Sequence, residues 1–106
     1  MTPVLNSRQL LAVVVLARTS SFTVAAKELF LTQGAVSHAI KALESDLECA
    51  LFERTPRGVK LTETGCQFLP YAEKILGEME TARKVIGVFQ REIRGESPMG
   101  LRAVVA

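Results

Sequence analysis

The chain has 106 residues, 48% of them apolar, and its 13 basic and 11 acidic side chains leave a formal net charge of +2. That is enough for one small domain with a modest core, and the charge is too mild to identify a nucleic-acid partner by itself. Cys49 and Cys66 form no CxxC pair and His38 is the single histidine, which argues against a structural zinc site and for two reduced, partly buried thiols. The longest apolar run, Leu10 to Ala17, is too short to span a membrane, and no secretory leader is visible, so a cytoplasmic, nucleoid-associated protein is expected.

Taken in order, Leu5-Asn6-Ser7 opens a first helix over about residues 7–19. Asn6 supplies the N-cap, and Arg18 falls in the last turn, where a cation is favourable. The run Val13-Val14-Val15 favours a strand locally, but the longer apolar pattern and the end signals favour a core helix. Ser20-Ser21-Phe22-Thr23 is a loop, with Thr23 the favoured cap of a short second helix through Leu29. The paired Ala25 and Ala26 let two helices cross closely at a tight turn.

After the turn at Leu31-Thr32, Thr32 can cap a third helix. Its Val36, Ile40, Leu43 and Leu47 repeat at spacings of four, three and four and form one buried stripe. Gln33, Ala35, Ser37, His38 and Lys41 lie off that stripe. A plain amphipathic helix with a solvated polar face would read the same way. The succession of short helix, tight turn and longer helix favours a unit that enters a nucleic-acid groove. Gly34 weakens the helix start but permits close approach of backbone to a surface. Glu44, Asp46 and Glu48 read as the solvated end of this helix.

Glu53 to Thr62 then reads as two short strands around a turn containing Pro56 and Gly58, a hairpin placed as a wing. Arg54, Arg57 and Lys60 have no acid between them and could meet phosphate or enter a minor groove, although a short basic loop is also an ordinary solvated surface. Thr62 can cap a final long helix with Glu63 at its positive end. Phe68, Ala72, Ile75, Met79, Ala82, Ile86, Phe89 and Ile93 recur at alternating spacings of four and three, an apolar seam that must pack on a second copy, on the domain, or on both. Dimerisation is the sharper reading. Pro70 should kink or loosen the first turns, and Gly77 and Gly87 weaken the helix further. The Gly- and Pro-containing break at 94–100 leads to Leu101–Ala106, which looks like the first strand of a further domain.

Five segments together resemble one family. They are Ser21-Phe22-Thr23-Val24-Ala25-Ala26-Lys27-Glu28-Leu29, Thr32-Gln33-Gly34-Ala35-Val36-Ser37, Ile40-Lys41-Ala42-Leu43-Glu44, Leu51-Phe52-Glu53-Arg54 and Leu61-Thr62-Glu63-Thr64-Gly65. In this order and spacing, residues 6 to about 94 are similar to the N-terminal DNA-binding domain of LysR-type transcriptional regulators. The resemblance implies a mainly α fold: a winged helix-turn-helix over 1–62, a linker and dimerisation helix over 63–94, and at 95–106 the hinge and start of an effector-binding domain.

By position, the resemblance makes Gln33, Gly34, Ala35, Ser37 and His38 groove contacts and puts Lys41 near the backbone. Thr23 and Thr32 would touch phosphate, and Arg54 and Arg57 would serve the wing, one of them reaching the minor groove. The implied partners are double-stranded DNA, at an interrupted palindrome, and a second copy of the chain. A tetramer would need the full-length protein, and a small-molecule effector would bind only a C-terminal domain. No metal, cofactor, catalytic residue or membrane is implied. Three positions depart from the pattern: Gly34 where proline is frequent, His38 where arginine is frequent, and Glu48 where glycine usually ends the third helix. Losing that glycine should cost about 1 kcal/mol. The docking mode therefore transfers, while the base preference does not.

The alternative function is a winged-helix protein-interaction module that does not read DNA. An acidic or neutral face on the third helix would favour it. An enzyme has no support, because His38 lacks a nucleophile or carboxylate at a catalytic spacing and no phosphate-cradling glycine loop is present.

Overall fold

A computed structural model describes residues 4–95. The element order is α1 (Ser7–Thr19), α2 (Phe22–Leu29), α3 (Gln33–Leu47), β1 (Phe52–Thr55), β2 (Gly58–Leu61) and α4 (Glu63–Ile93). The chain is thus mainly helical, three helices and a two-stranded hairpin followed by one long helix. The strand expected at Leu101–Ala106 lies outside the described residues. Among those residues no helix is long and apolar enough to cross a membrane.

Local chemistry explains most boundaries. The Asn6 side-chain oxygen accepts from the amides of Arg8 and Gln9, two of the donors a helix start leaves unpaired. The valines of α1 pack inward, with Val13 and Leu16 fully buried, so tertiary burial overrides their strand preference. The α2 cap differs from expectation. Ser21, in extended backbone, accepts from the Val24 amide, and Thr23 is already helical. The earlier cap brings Phe22 into the helix, where its ring packs against the core. Thr32 caps α3 through the Ala35 amide, and Thr62 caps α4 through the Gly65 amide.

All three short helices end on a non-glycine residue in the left-handed region: Ser20, Phe30 and Glu48, with φ of 56°, 57° and 58°. Such a residue carries strain of about 1–2 kcal/mol, here set against the carbonyls it helps to satisfy. At Glu48 the cap amide meets the carbonyls of Glu44 and Ser45. The expected absence of glycine at this cap is thus expressed as a strained residue, not as a different ending.

One core joins α1, α2, α3, the hairpin and the first turns of α4. Leu10, Leu16, Val36, Leu43 and Leu51 are its largest fully buried members along with Val13. Ala25 and Ala26 are buried, which fits the need for small side chains where helices cross. Ala72 is fully buried in the same core, and Phe68, Leu69 and Leu76 pack against it. Gly65 is required here: a Cβ at this position would stand 2.1 Å from the Leu51 carbonyl oxygen. Pro70 lies inside α4 without ending it. Cys49 is half-buried and Cys66 exposed, both as free thiols, so only the first matches the expected partial burial.

By contacts the chain groups into two units, divided between Leu76 and Gly77. The first holds the core just described. The described part of the second is the remainder of α4 and the turn at Arg94 and Gly95. There Met79, Val85, Ile86, Val88, Phe89 and Ile93 are all exposed.

Candidate nucleic-acid interface

The α2–turn–α3 unit presents one polar face. Phe30 turns the chain in the left-handed conformation while the Leu31 amide returns to the Ala26 carbonyl at 2.9 Å. Thr32 then starts α3, with Gln33 as its first residue. Val36, Ile40 and Leu43 bury the inner stripe. Gln33, Gly34, Ala35, His38 and Lys41 are exposed on the other side, and Ser37 is half-buried beside them. No acid occurs on α3 before Glu44, and the amide-rich helix start adds partial positive charge. The predicted groove residues therefore share one surface.

The glycine at 34 is not needed by the chain's own packing. A Cβ there would meet only the Thr32 hydroxyl, at 3.9 Å. Thr32 Oγ1 already accepts the Ala35 amide at 3.0 Å, but its hydroxyl hydrogen is still available to an outside acceptor. Thr23 is exposed in the first turn of α2.

The hairpin pairs Phe52 with Leu61, Glu53 with Lys60, Arg54 with Val59 and Thr55 with Gly58. Pro56 and Arg57 form the turn, and the Arg57 amide donates to Thr55 Oγ1 at 3.2 Å. Gly58 has φ of +138°, and a Cβ on it would lie 2.6 Å from the Ser20 carbonyl oxygen. Glycine thus lets β2 press against the α1–α2 corner, where the Val59 amide donates to that same carbonyl at 3.3 Å.

The wing charges are not equivalent. The Arg54 guanidinium lies 4.6 Å from the centroid of the Phe22 ring, a cation–π contact that holds it toward α2. Lys60 pairs with Glu53 across the strands at 3.3 Å, which offsets its charge. Arg57 stays exposed at the turn. The expectation of a wing carrying three unopposed cations therefore narrows to Arg57 at the tip and a stacked Arg54. Ser21, Thr23, Gln33, Arg54 and Arg57 together line an open concavity of about 250 Å³ between the helix starts and the wing.

Glu44 corrects the sequence reading. It is not a solvated acid at a helix end. It is half-buried, and its Oε2 accepts from the amides of Leu51 at 2.7 Å and Phe52 at 3.1 Å, where the chain enters β1. The Phe22–Arg54 stack was equally out of reach of periodicity, because its partners are 32 residues apart. Of the expected seam on α4, Phe68 and Ala72 belong to the core of their own chain. Ile75, Met79, Ala82, Ile86, Phe89 and Ile93 are exposed.

Comparison with known proteins follows the same lines. The chain is 43% identical over 97 residues to the HTH-type transcriptional regulator CfxR of Cupriavidus necator, covering 92% of this chain and 31% of that protein. It is 44% identical over 69 residues to HdfR of Escherichia coli, covering 65% of this chain and 25% of that one. The chain thus spans about a third or less of these two relatives' length. In structure it is similar to the CbnR DNA-binding domain solved in complex with DNA, with a TM-score of 0.76 at 32% identity over 82% of this chain and 100% of that one. It is also similar to the BenM DNA-binding domain solved with catB site 1 DNA, with a TM-score of 0.75 at 34% identity over 78% of this chain and 93% of that one. Residues 7–66 match the family of bacterial regulatory helix-turn-helix proteins of the lysR type, so this chain belongs to the lysR family and comprises its helix-turn-helix DNA-binding domain.

Proposed function

We propose that this domain reads double-stranded DNA as a homodimer at an interrupted palindrome and thereby controls transcription. The observation that carries the reading is the grouping of Gln33, Thr23, Arg54 and Arg57 around one open polar concavity beside the acid-free first half of α3. In this reading the first turns of α3 enter the major groove. Gln33 reads a base edge, with adenine the best match for its amide. Gly34, Ala35, Ser37 and His38 line the approach, and Lys41 meets the backbone. Thr23 and Thr32 donate to phosphate. Arg57, free at the turn, reaches the minor groove, while Arg54 contacts the backbone from its place on Phe22. The DNA complexes of CbnR and BenM support this docking mode.

The second copy binds through α4. Ile75, Met79, Ala82, Ile86, Phe89 and Ile93 form a recurring apolar stripe that stays exposed in one chain, and a helix does not keep such a stripe in water without a partner. Ile86→Glu should leave the first unit folded and convert dimer to monomer in analytical ultracentrifugation. The proposed setting is the bacterial cytoplasm, with no cofactor and no catalysis. A tetramer and a small-molecule effector belong to a longer protein with an effector-binding domain.

Selection of duplexes from a randomised library tests the reading directly. Two inverted half-sites at fixed spacing are expected, with affinity that falls steeply as salt rises. Gln33→Ala should relax preference at one base pair by about 1–3 kcal/mol, whereas Lys41→Ala should weaken all sequences alike. Absence of any salt-sensitive enrichment would overturn DNA reading and favour a protein-docking module instead.

A further inference from the structure

We infer that Glu44 is a positioning residue that sets the wing against the recognition helix α3, a role that rests on the DNA-reading proposal and deepens it. The residue stands on α3 next to the fully buried Leu43. Its Oε2 atom accepts two backbone amides, from Leu51 at 2.7 Å and from Phe52 at 3.1 Å. Phe52 is the first residue of β1. One carboxylate oxygen therefore joins the helix that carries Gln33 to the point where the wing begins. Amide donors to an ionised oxygen make stronger bonds than neutral pairs, and two donors on one atom fix direction as well as distance.

The consequence reaches the tip of the wing through register. Phe52 opposes Leu61, and each further pair places Arg54 opposite Val59 and the turn at Pro56 and Arg57. A two-stranded ribbon is weak alone, so its direction depends on what ties it down. On β2 the tie is the Val59 amide to the Ser20 carbonyl, at 3.3 Å. On β1 it is Glu44. Packing at the start of β1 comes from Leu51 and Phe52, but beyond them an open concavity of about 120 Å³, its lining including Ser37, Lys41, Glu44 and Arg54, leaves α3 and β1 without close apolar contact. Loss of the carboxylate should leave the apolar core, including Val59, in place and loosen β1 and the turn against α3, so that Arg57 no longer meets DNA at a fixed distance from Gln33.

The test is a double-mutant cycle between Glu44 and Arg57 on the full 106-residue chain. The probe is a duplex selected from a randomised library by the unmodified chain, measured at low salt. Arg57→Ala should lower affinity about tenfold in the unmodified chain and about twofold or less in the Glu44→Ala background, because a wing that is no longer aimed has little left to lose. Glu44→Gln should restore most of the tenfold effect, since its amide oxygen can accept the same two bonds. Without DNA, the Leu51 and Phe52 amides should exchange with solvent faster in Glu44→Ala and slowly in Glu44→Gln. Should Glu44→Ala fail to fold, Glu44→Asp, which keeps the charge but is one methylene short, takes its place in the cycle. An undiminished tenfold loss for Arg57→Ala in the Glu44→Ala background, or in Glu44→Asp where that takes its place, overturns the inference and leaves DNA reading intact. Failure of the unmodified chain to select any duplex overturns both.

Discussion

The two units of the chain differ in what becomes of a regularly spaced apolar stripe. In the first, Leu10, Leu16, Val36, Leu43 and Leu51 are at most 1% exposed, and the core closes on itself. In the second, Ile86 and Ile93 are 55% and 58% exposed at the same kind of regular helical spacing. Periodicity is therefore the same signal with two meanings. On a helix whose neighbours in the chain can fold over it, the stripe is a core. On the part of α4 in the second unit, the stripe is exposed, and the proposed second copy would cover it. α4 shows both within one element, since Ala72 is fully buried while Met79, seven residues later, is half exposed.

The largest effect that would test this contrast is truncation of matched positions. Leu43→Ala should destabilise the domain by about 2–5 kcal/mol, through lost transfer energy and the cavity left behind. Met79→Ala should change the stability of the first unit by less than about 0.5 kcal/mol when urea unfolding is followed at a concentration where the chain is monomeric. Equal losses would mean that the arm stabilises its own chain, and the contrast would fail. Next in size is Gly65→Ala. The new methyl would meet backbone at the Leu51 carbonyl, 2.1 Å away, and backbone cannot yield as a flexible side chain does. Overpacking of this kind should cost about 3 kcal/mol in the same urea measurement.

What could be read from the sequence follows from how local each cause is. Asn6, Thr32 and Thr62 act on amides two or three residues away, so the starts of α1, α3 and α4 are legible. The buried stripe of α3 is legible because Val36, Ile40 and Leu43 need only a helical period. The cap of α2 is less so: Ser20, Ser21 and Thr23 are all competent, and the choice of Ser21 depends on where the Phe22 ring finds the core. Ties between elements are not legible at all. Nothing in the order of residues announces that Glu44 faces the amides of Leu51 and Phe52, that Arg54 stacks on Phe22, or that Glu53 offsets Lys60. That Gln33, His38, Lys41 and Arg57 are exposed could thus be anticipated, while the ties around them and the pairing of Lys60 could not.

A smaller effect is expected at the end of α3. Glu48 holds φ of 58°, and glycine would relieve about 1–2 kcal/mol of left-handed strain while losing about 0.5–1 kcal/mol to the extra freedom of the unfolded chain. Glu48→Gly should therefore raise stability by about 0.5–1 kcal/mol, visible as a higher melting temperature. A fall would show that the Glu48 side chain makes a contribution in the folded state that outweighs the strain.

The smallest effect is electrostatic and belongs wholly to the first unit. Arg18 of α1 donates to Glu28 of α2 through a short contact between exposed side chains. The hydrogen bond from Arg18, together with its charge, holds the Glu28 carboxyl below its usual range, while the same bond raises the arginine further. Arginine stays charged throughout, so only Glu28 titrates. A carboxyl with a depressed folded pKa contributes stability that is present above its unfolded pKa and is lost as pH falls through the folded one. Single substitutions would blur this. Arg18 sits in the last turn of α1, where a cation is favoured, and Glu28 near the end of α2, where an anion is not. A double-mutant cycle of Arg18→Ala and Glu28→Ala cancels both helix-end terms. The coupling should be small at neutral pH and low salt, shrink in high salt, and vanish in acid once Glu28 is protonated. Coupling that persisted in acid would mean that the two side chains meet by packing of their stems, and that the α1–α2 corner on which the wing rests is held without charge.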